Sequence, residues 1–213
     1  MSNRRSAADR IKPSKSALFA AAKARDFRTV TAILRAAPEL VRATDPKGRM
    51  ALHIVCAATA KSKGDPNGLK TVAALLKAGS GLEDIVPMHE DEGDFRANPL
   101  WYAVARGENL PLVRFLIKRG ADASFSLWAS VWRDDAALCR ALLAAKPRLN
   151  LRAHGETPLF YAARLKRLKT LALLLDAGAD PAIADDRGRD AVAIARARRL
   201  PKDIIARLER AKR

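Results

Sequence analysis

Three histidines and two cysteines are the residues whose side chains could bind a metal or act as nucleophiles. His89 lies in an acidic run whose carboxylates could hold a hard cation together with it. The run lacks the D-x-D-x-D-G spacing of a calcium loop and has a glycine only at Gly93. We therefore expect a solvated acidic loop and no metal site.

This run belongs to a longer segment, residues 82–95, that contains no lysine or arginine. We call the segment the acidic finger. Its six acidic residues are Glu83, Asp84, Glu90, Asp91, Glu92 and Asp94. The whole chain of 213 residues has a net charge of +17. Outside the finger, 40 basic residues face 17 acidic ones, so the remainder carries +23.

The two cysteines do not indicate redox or zinc chemistry. Cys56 and Cys139 lie far apart, each within an apolar stretch, which fits neither a disulfide framework nor a zinc cluster. We interpret them as buried small hydrophobic residues in a reducing compartment. The sequence also has no nucleophile elbow, phosphate-binding loop, dinucleotide-binding glycine motif, H-E-x-x-H or C-x-x-C. We therefore expect neither an enzyme nor a cofactor.

A recurring apolar pattern organises most of the chain into similar repeats. Residues 155–163, GETPLFYAA, align with residues 188–196, GRDAVAIAR, at an offset of 33. The same frame, with a small residue or proline before an aliphatic residue, recurs at residues 17–22, 48–56, 98–103 and 126–130. A second apolar cluster with i, i+3, i+4 spacing follows each frame, which predicts a second, amphipathic helix.

A stop signal follows these second helices. It is a glycine at Gly79, Gly120 and Gly178, and a proline at Pro38 and Pro147. Glycine takes the left-handed conformation after a helix, and proline cannot continue one. With the T-P-L frame at residues 157–159 and the G-A-D turns at 120–122 and 178–180, the pattern resembles the ankyrin repeat family over nearly the whole chain.

The resemblance implies an all-α, ankyrin-type helix-turn-helix solenoid with short β-turn or finger connections. We expect a flexible basic arm at residues 1–13 and a single repeat domain at residues 14–213. The six predicted repeats are at about 14–47, 48–96, 97–124, 125–154, 155–186 and 187–213, the last being a cap. Two inserted loops, residues 59–68 and 82–95, account for the length of the second repeat. Terminal repeats need polar outer faces, to which we assign Arg25 and Arg28 at the start.

The resemblance also implies a protein-binding module whose concave face is built from the fingers and the ends of the first helices. It implies that His53 bonds the backbone of the neighbouring finger. The predicted partner-binding residues are Lys23, Arg106, Trp132, Arg133, Arg164, Leu165 and Arg198. Trp132 is the leading candidate because tryptophan and arginine dominate binding energy at protein interfaces. This cationic row fits an acidic partner, and the acidic finger could add selectivity.

Two other functions stay open. Basic residues at 164–169 and 196–202 fall at equivalent turns of neighbouring repeats, and such a patch could bind nucleic acid. Alternatively, the chain could be a bacterial effector directed at a host protein, because its Ala- and Arg-rich composition is typical of GC-rich bacterial genomes. No signal peptide or membrane-spanning run is readable, so we expect a cytoplasmic monomer with no membrane insertion.

Overall fold

The computed structural model describes residues 12–60, 64–86 and 96–212, and within them the chain forms pairs of short helices. These residues contain no β-strand. Two isolated β-bridges, Val86 with Ala97 and Ala153 with Glu156, mark fingers. The described chain divides into two compact units. The first comprises residues 12–60, 64–86 and 97–121, and the second comprises residues 96 and 122–212.

The first unit consists of three helix pairs arranged in two layers. The pairs are α1 (Lys15–Ala24) with α2 (Phe27–Ala36), α3 (Ala51–Ala57) with α4 (Pro66–Lys77), and α5 (Pro99–Tyr102) with α6 (Leu110–Lys118). A 3-10 turn, Pro38–Arg42, follows α2, and a π-helical turn, Ala103–Gly107, continues α5. The first helices pack on one another, α1 on α3 and α3 on α5, while α4 packs on both α2 and α6.

The second unit repeats this arrangement. Its pairs are α7 (Ser126–Arg133) with α8 (Ala136–Leu143), α9 (Pro158–Leu165) with α10 (Leu168–Asp176), and α11 (Ala191–Ala197) with α12 (Lys202–Ala211). α9 packs between α7 and α11, and α10 packs between α8 and α12. Fully buried alanines such as Ala162, Ala163 and Ala195 let the first helices approach closely. Some of the 43 alanines of the chain therefore allow close helix–helix packing.

Side-chain caps and glycine stops define the helix boundaries. The hydroxyl oxygen of Thr157 accepts the N–H of Phe160 at 3.2 Å, and Pro158 occupies the first helical position, where no donor is needed. At the other end of the pair, Gly178 has φ 90° and the N–H of Ala179 donates to Leu174 O at 3.0 Å. The predicted helix-turn-helix repeat is therefore confirmed, with its start and stop signals.

One predicted loop boundary is wrong. We expected the first insertion to cover residues 59–68, but α4 begins at Pro66, so its last three residues are helical. Asp65 caps this helix by accepting the N–H of Gly68 at 3.2 Å. The Pro-Asn-Gly sequence has the composition of a turn, yet proline is also favoured in the first turn of a helix. Residues 61–63, most of the acidic finger and nearly all of the predicted arm lie outside the described residues.

Candidate functional site

Five predicted binding residues of the second unit lie at the C-terminal ends of neighbouring helices. α7 ends with Trp132 and Arg133, and α9 ends with Arg164 and Leu165. Arg198 follows the last residue of α11. Because α9 packs against both α7 and α11, the helix ends are adjacent. We call Trp132, Arg133, Arg164, Leu165 and Arg198 the C-terminal row.

Trp132 is the exposed apolar residue of the C-terminal row. Its side chain is 51% exposed, whereas Trp128, one turn earlier in α7, is buried. The guanidinium carbon of Arg133 lies 5.4 Å from the centre of the Trp132 ring, within cation–π range. Ile85 and Leu168 are the other exposed large hydrophobic residues in the described part of the chain. An exposed tryptophan beside an arginine is a combination enriched at binding hot spots.

The charge of Arg164 is largely compensated. Its guanidinium makes a two-point contact with the carboxylate of Glu156, with Nε to Oε1 at 2.7 Å and Nη2 to Oε2 at 3.0 Å. The same group lies 5.1 Å from the centre of the Tyr161 ring. Arg198 Nε donates to the carbonyl oxygen of Arg164 at 2.9 Å, which links α9 to the turn after α11. The C-terminal row is therefore less cationic than the sequence alone suggests.

Lys23 and Arg106 occupy the corresponding helix ends of the first unit. Both side chains are exposed. Lys23 lies in the last turn of α1, and Arg106 lies in the π-helical turn after α5. α3, which packs between these two helices, ends with the small residue Ala57. The first unit thus presents two cations with no large side chain between them.

Arg25 corrects a prediction. We assigned it to the polar outer face of the first repeat, but it is only 4% exposed and forms an ion pair with Asp65, with Nη1 to Oδ1 at 3.0 Å. Its Nη2 donates to the carbonyl oxygen of Ala58. Asn109 Nδ2 donates to the second carboxylate oxygen of Asp65 at 2.6 Å. This network joins the helix-to-helix turns of all three pairs in the first unit.

Sequence reasoning missed the network because its members are far apart in the chain. Arg25 and Asp65 are 40 residues apart, and Asp65 and Asn109 are 44 residues apart. The available signal was the Asp65-Pro66 dipeptide, which is a helix N-cap followed by a first-turn proline. A buried carboxylate needs a cationic or hydrogen-bonding partner, so a buried N-cap aspartate in an insertion indicates one.

The two described acidic residues of the acidic finger have structural partners. Asp84 pairs with Arg42, with Nη1 to Oδ2 at 3.1 Å, and accepts the N–H of Gly81 at 2.8 Å. Glu83 accepts a hydrogen bond from Asn98 Nδ2 at 2.9 Å. These carboxylates therefore tie the base of the finger to the first unit. Glu90, Asp91, Glu92 and Asp94 lie outside the described residues.

His53 plays the structural role that the resemblance implies. Its Nδ1 accepts the backbone N–H of Met50 at 3.2 Å, so the proton resides on Nε2, which donates to the carbonyl oxygen of Asp84 at 2.8 Å. Burial of the ring lowers the pKa of His53, because it disfavours the charged imidazolium. The histidine thus connects α3 to the base of the acidic finger.

The described cysteines have the burial expected from their apolar neighbours. Cys56 and Cys139 are free thiols, both fully buried. Burial raises the pKa of Cys56, and it raises the pKa of Cys139 to about 11. Both groups are therefore thiols rather than reactive thiolates at neutral pH.

The two basic clusters lie at the helix-to-helix turns of the last two pairs. Arg164 and Arg196 are paired with Glu156 and Glu209. The other cations of these turns form no ion pair with any carboxylate in the described residues. They are Lys166, Arg167, Lys169, Arg198, Arg199 and Lys202. We call these six residues the basic edge, and it carries more uncompensated charge than the C-terminal row.

Across residues 12–60, 64–86 and 96–212, no group of three or more His, Cys, Asp or Glu side chains is arranged to hold a metal ion. None of the helices in those ranges is both long enough and apolar enough to cross a membrane.

The comparisons with known proteins agree with this architecture. An ankyrin repeat domain from Acinetobacter baumannii AYE is similar, at 26% identity and a TM-score of 0.71, over 93% of this chain and 98% of that domain. The ankyrin repeat domain of Bcl-3, a member of the IkappaB protein family, shares 20% identity with a TM-score of 0.62, over 94% and 99% of the two chains. The ankyrin repeat protein EF0377 also shares 20% identity, with a TM-score of 0.67, over 94% and 98%.

The last two likenesses support the fold alone, because their identity is low. Among curated proteins, none matches the sequence significantly. A family model for ankyrin repeats, in three copies, matches residues 63–185, which is more than half of the chain. The helix pairs, their caps and this match together show that the chain belongs to the ankyrin repeat family.

Proposed function

We propose that the chain is a non-catalytic module that binds an acidic surface of a protein partner against the C-terminal row. Ankyrin repeats are generally protein–protein interaction modules. The observation that carries the proposal is the exposure of Trp132 at the end of a helix whose other large apolar side chains are buried. A large aromatic surface left in water is stabilised when a partner covers it.

Charge supports an acidic partner. The net charge of +17 raises the rate of encounter with acidic surfaces, and Arg133 beside Trp132 places a cation at the edge of the apolar contact. Lys23 and Arg106 offer cations at the matching helix ends of the first unit. Glu83 and Asp84 already pair with Asn98 and Arg42. We therefore assign the selectivity of the acidic finger to its other acidic residues, Glu90, Asp91, Glu92 and Asp94.

Affinity capture with matched variants tests this proposal. The tagged chain and a Trp132→Ala/Arg133→Glu variant are used to capture proteins from the native organism at moderate salt, and bound proteins are quantified by mass spectrometry. We expect the double variant to lose the partner. Arg140→Glu, an equal charge change on an exposed position of α8, should retain it. Equal capture by the wild type and the double variant would contradict the role of the C-terminal row.

Nucleic-acid binding is the second candidate, and the basic edge favours it. Six cations without carboxylate partners at adjacent turns form a continuous source of positive charge. An electrophoretic mobility shift measured at several salt concentrations tests it, because counterion release predicts a steep loss of affinity with salt. A Lys166→Glu/Lys169→Glu variant should abolish the shift, whereas Trp132→Ala should not. Absence of a shift by the wild type at low salt would remove this candidate.

A further inference from the structure

A small cleft lies in the second unit between two fingers. Its volume is about 270 Å³, and its walls are residues 154–156 of one finger, residues 185–189 of the next, and Arg164 from α9. This volume is below the range of about 300–1,000 Å³ that suits a drug-sized molecule. We call it the finger cleft. Arg164 belongs both to the finger cleft and to the C-terminal row, so the cleft adjoins the row.

The two fingers are held together by direct contacts. Arg152, next to the first finger, forms an ion pair with Asp186 of the second, and its Nη2 donates to the carbonyl oxygen of Gly155 at 3.0 Å. Gly155 has φ 70°, and a Cβ added there would collide with the carboxylate of Asp186. Glycine is therefore favoured at this position by its left-handed backbone and by the nearby carboxylate. These contacts join the two walls of the finger cleft.

Two of the three carboxylates of the cleft, Asp185 and Glu156, are covered by their arginines. The Asp185 side chain is 7% exposed, whereas Arg189, which pairs with it at 2.6 Å, is 41% exposed. Asp185 also accepts the backbone N–H groups of Arg187 and Arg189, at 3.0 and 2.8 Å. In the second pair, Glu156 is 16% exposed and Arg164 is 35% exposed. At these two pairs a molecule that enters the cleft therefore meets the guanidinium group before the carboxylate, whereas the third carboxylate, Asp186, is 76% exposed and is paired with Arg152.

Arg187 supplies the cation that remains available. It is exposed, lines the cleft and forms no ion pair with a carboxylate of the described residues. The exposed acid of the cleft, Asp186, is engaged by Arg152. The balance of exposed charge at the cleft is therefore positive, although equal numbers of arginines and carboxylates line it.

From this geometry we infer that the finger cleft receives one carboxylate side chain of the protein partner, bound by Arg187 with Arg164 and Arg189. Guanidinium groups bind carboxylates through two parallel hydrogen bonds, which gives this contact directional specificity. The inference rests on the proposed function and deepens it. The partner segment would place an apolar residue on Trp132 and an aspartate or glutamate in the finger cleft.

Nuclear magnetic resonance with small probes tests the assignment without the partner. The ¹⁵N-labelled full chain is titrated at constant ionic strength with acetyl-Gly-Glu-Gly-amide or with the glutamine peptide of the same length. The glutamate peptide should cause saturable shifts in the Arg187 Nε–H and the Gly188 and Gly155 amides. The glutamine peptide should cause none. Arg187→Gln should lower the affinity for the glutamate peptide about three- to five-fold, which is the effect of losing one exposed ion pair.

The control and the contradicting results are distinct. Arg210→Gln, another exposed arginine without an ion pair in the described residues, should bind like the wild type. Shifts centred on the basic edge, or shifts unaffected by Arg187→Gln, would overturn the assignment. Stronger binding of a phosphoserine peptide at the same resonances would overturn the commitment to a carboxylate.

Failure of the finger cleft and failure of the proposed function are separable. If Arg187→Gln leaves the probe unchanged while Trp132→Ala/Arg133→Glu loses the captured partner, only the cleft assignment is wrong. If the probe binds as expected but the double variant still captures the partner, the C-terminal row is wrong and the cleft assignment stands.

Discussion

At the scale of single residues, buried polar groups hold the first unit together. Arg25, Asp65 and Asn109 connect three successive helix-to-helix turns, and both charged side chains of the pair are 3% exposed. A buried ion pair contributes little relative to an apolar pair, but removing one member leaves the other charge uncompensated. The network therefore makes the register of these turns specific.

Truncation of the Asp65 side chain measures how much the stability of the chain depends on this network. We predict that Asp65→Ala lowers the free energy of unfolding by about 3–5 kcal/mol, because Arg25 is left buried without its partner. Arg42→Ala, which breaks the exposed pair with Asp84, should cost less than about 1 kcal/mol. Urea unfolding monitored by circular dichroism compares the two. Equal costs would show that the buried network has no special role.

Burial of His53 predicts a pH dependence of stability. Its pKa is lowered in the folded chain, whereas in the unfolded chain it is about 6.5. Below that pH the unfolded state binds a proton more readily, so stability should fall as the pH drops below about 6.5 toward the lower pKa of the folded state. Protonation also places a hydrogen on Nδ1, which removes the acceptor of the Met50 N–H.

Replacement of the His53 imidazole tests whether this residue causes the pH dependence of stability. His53→Gln should flatten the dependence of the unfolding free energy on pH in this window, at the cost of lower stability at pH 7. Urea titrations at several pH values supply the comparison with the wild type. A variant with the same slope as the wild type would assign the dependence to other groups.

At the scale of elements, the turns inside the helix pairs use left-handed residues that are not glycine. These residues have φ between 46° and 60°, and they are Arg25, Asp65, Glu108, Asp134, Lys166 and Arg199. A side chain in this conformation costs on the order of 1 kcal/mol relative to glycine. The side chains compensate where they bond, as Asp134 does by accepting the N–H and hydroxyl of Thr170, each at 3.0 Å.

Lys166 offers a clean measurement of this cost. Lys166→Gly should be more stable than Lys166→Ala by about 0.5–1 kcal/mol, because both remove the same side chain and only glycine relieves the backbone. Gly178→Ala should destabilise the chain through the backbone alone, because the residue has φ 90° and an added Cβ there meets no neighbouring atom. Thermal unfolding ranks the three variants. Lys166→Ala as stable as Lys166→Gly would contradict the backbone explanation.

Element-level features were the most predictable part of the fold. The Thr157 cap, the Gly178 stop and the spacing of apolar clusters are local, so the sequence alone predicts them. The end of the first insertion was misplaced because the turn composition of Pro66-Asn-Gly68 also suits a helix start. The burial of Arg25 depends on Asp65, 40 residues away, and no local pattern contains that information.

The sequence predicts which helix ends carry the candidate site residues, but it does not predict their charge balance. The helix ends that form the C-terminal row follow from the repeat register, and Trp132 is exposed as the prediction requires. The register does not reveal that Glu156 neutralises Arg164. It also does not reveal that cations without carboxylate partners gather at the basic edge, because this depends on which side chains reach a carboxylate.

At the scale of the whole molecule, the net charge of +17 resolves into local patterns within each unit. In the first unit, Asp84 and Glu83 engage Arg42 and Asn98 at the base of the acidic finger. In the second unit, ion pairs compensate Arg152 and Arg189 at the fingers, but they leave Arg187 and the basic edge uncompensated. The chain therefore offers an apolar and guanidinium surface at Trp132 and a separate cationic edge.

The central claim is that a protein partner contacts the C-terminal row, and site-specific cross-linking tests it most directly. The two native cysteines are fully buried, so a thiol-reactive photo-cross-linker attached to Leu165→Cys labels the row alone. Arg140→Cys on α8 is the matched control. We predict a covalent adduct with one acidic protein from Leu165→Cys and none from Arg140→Cys. Equal adducts from both positions, or an adduct from Arg140→Cys alone, would contradict the account.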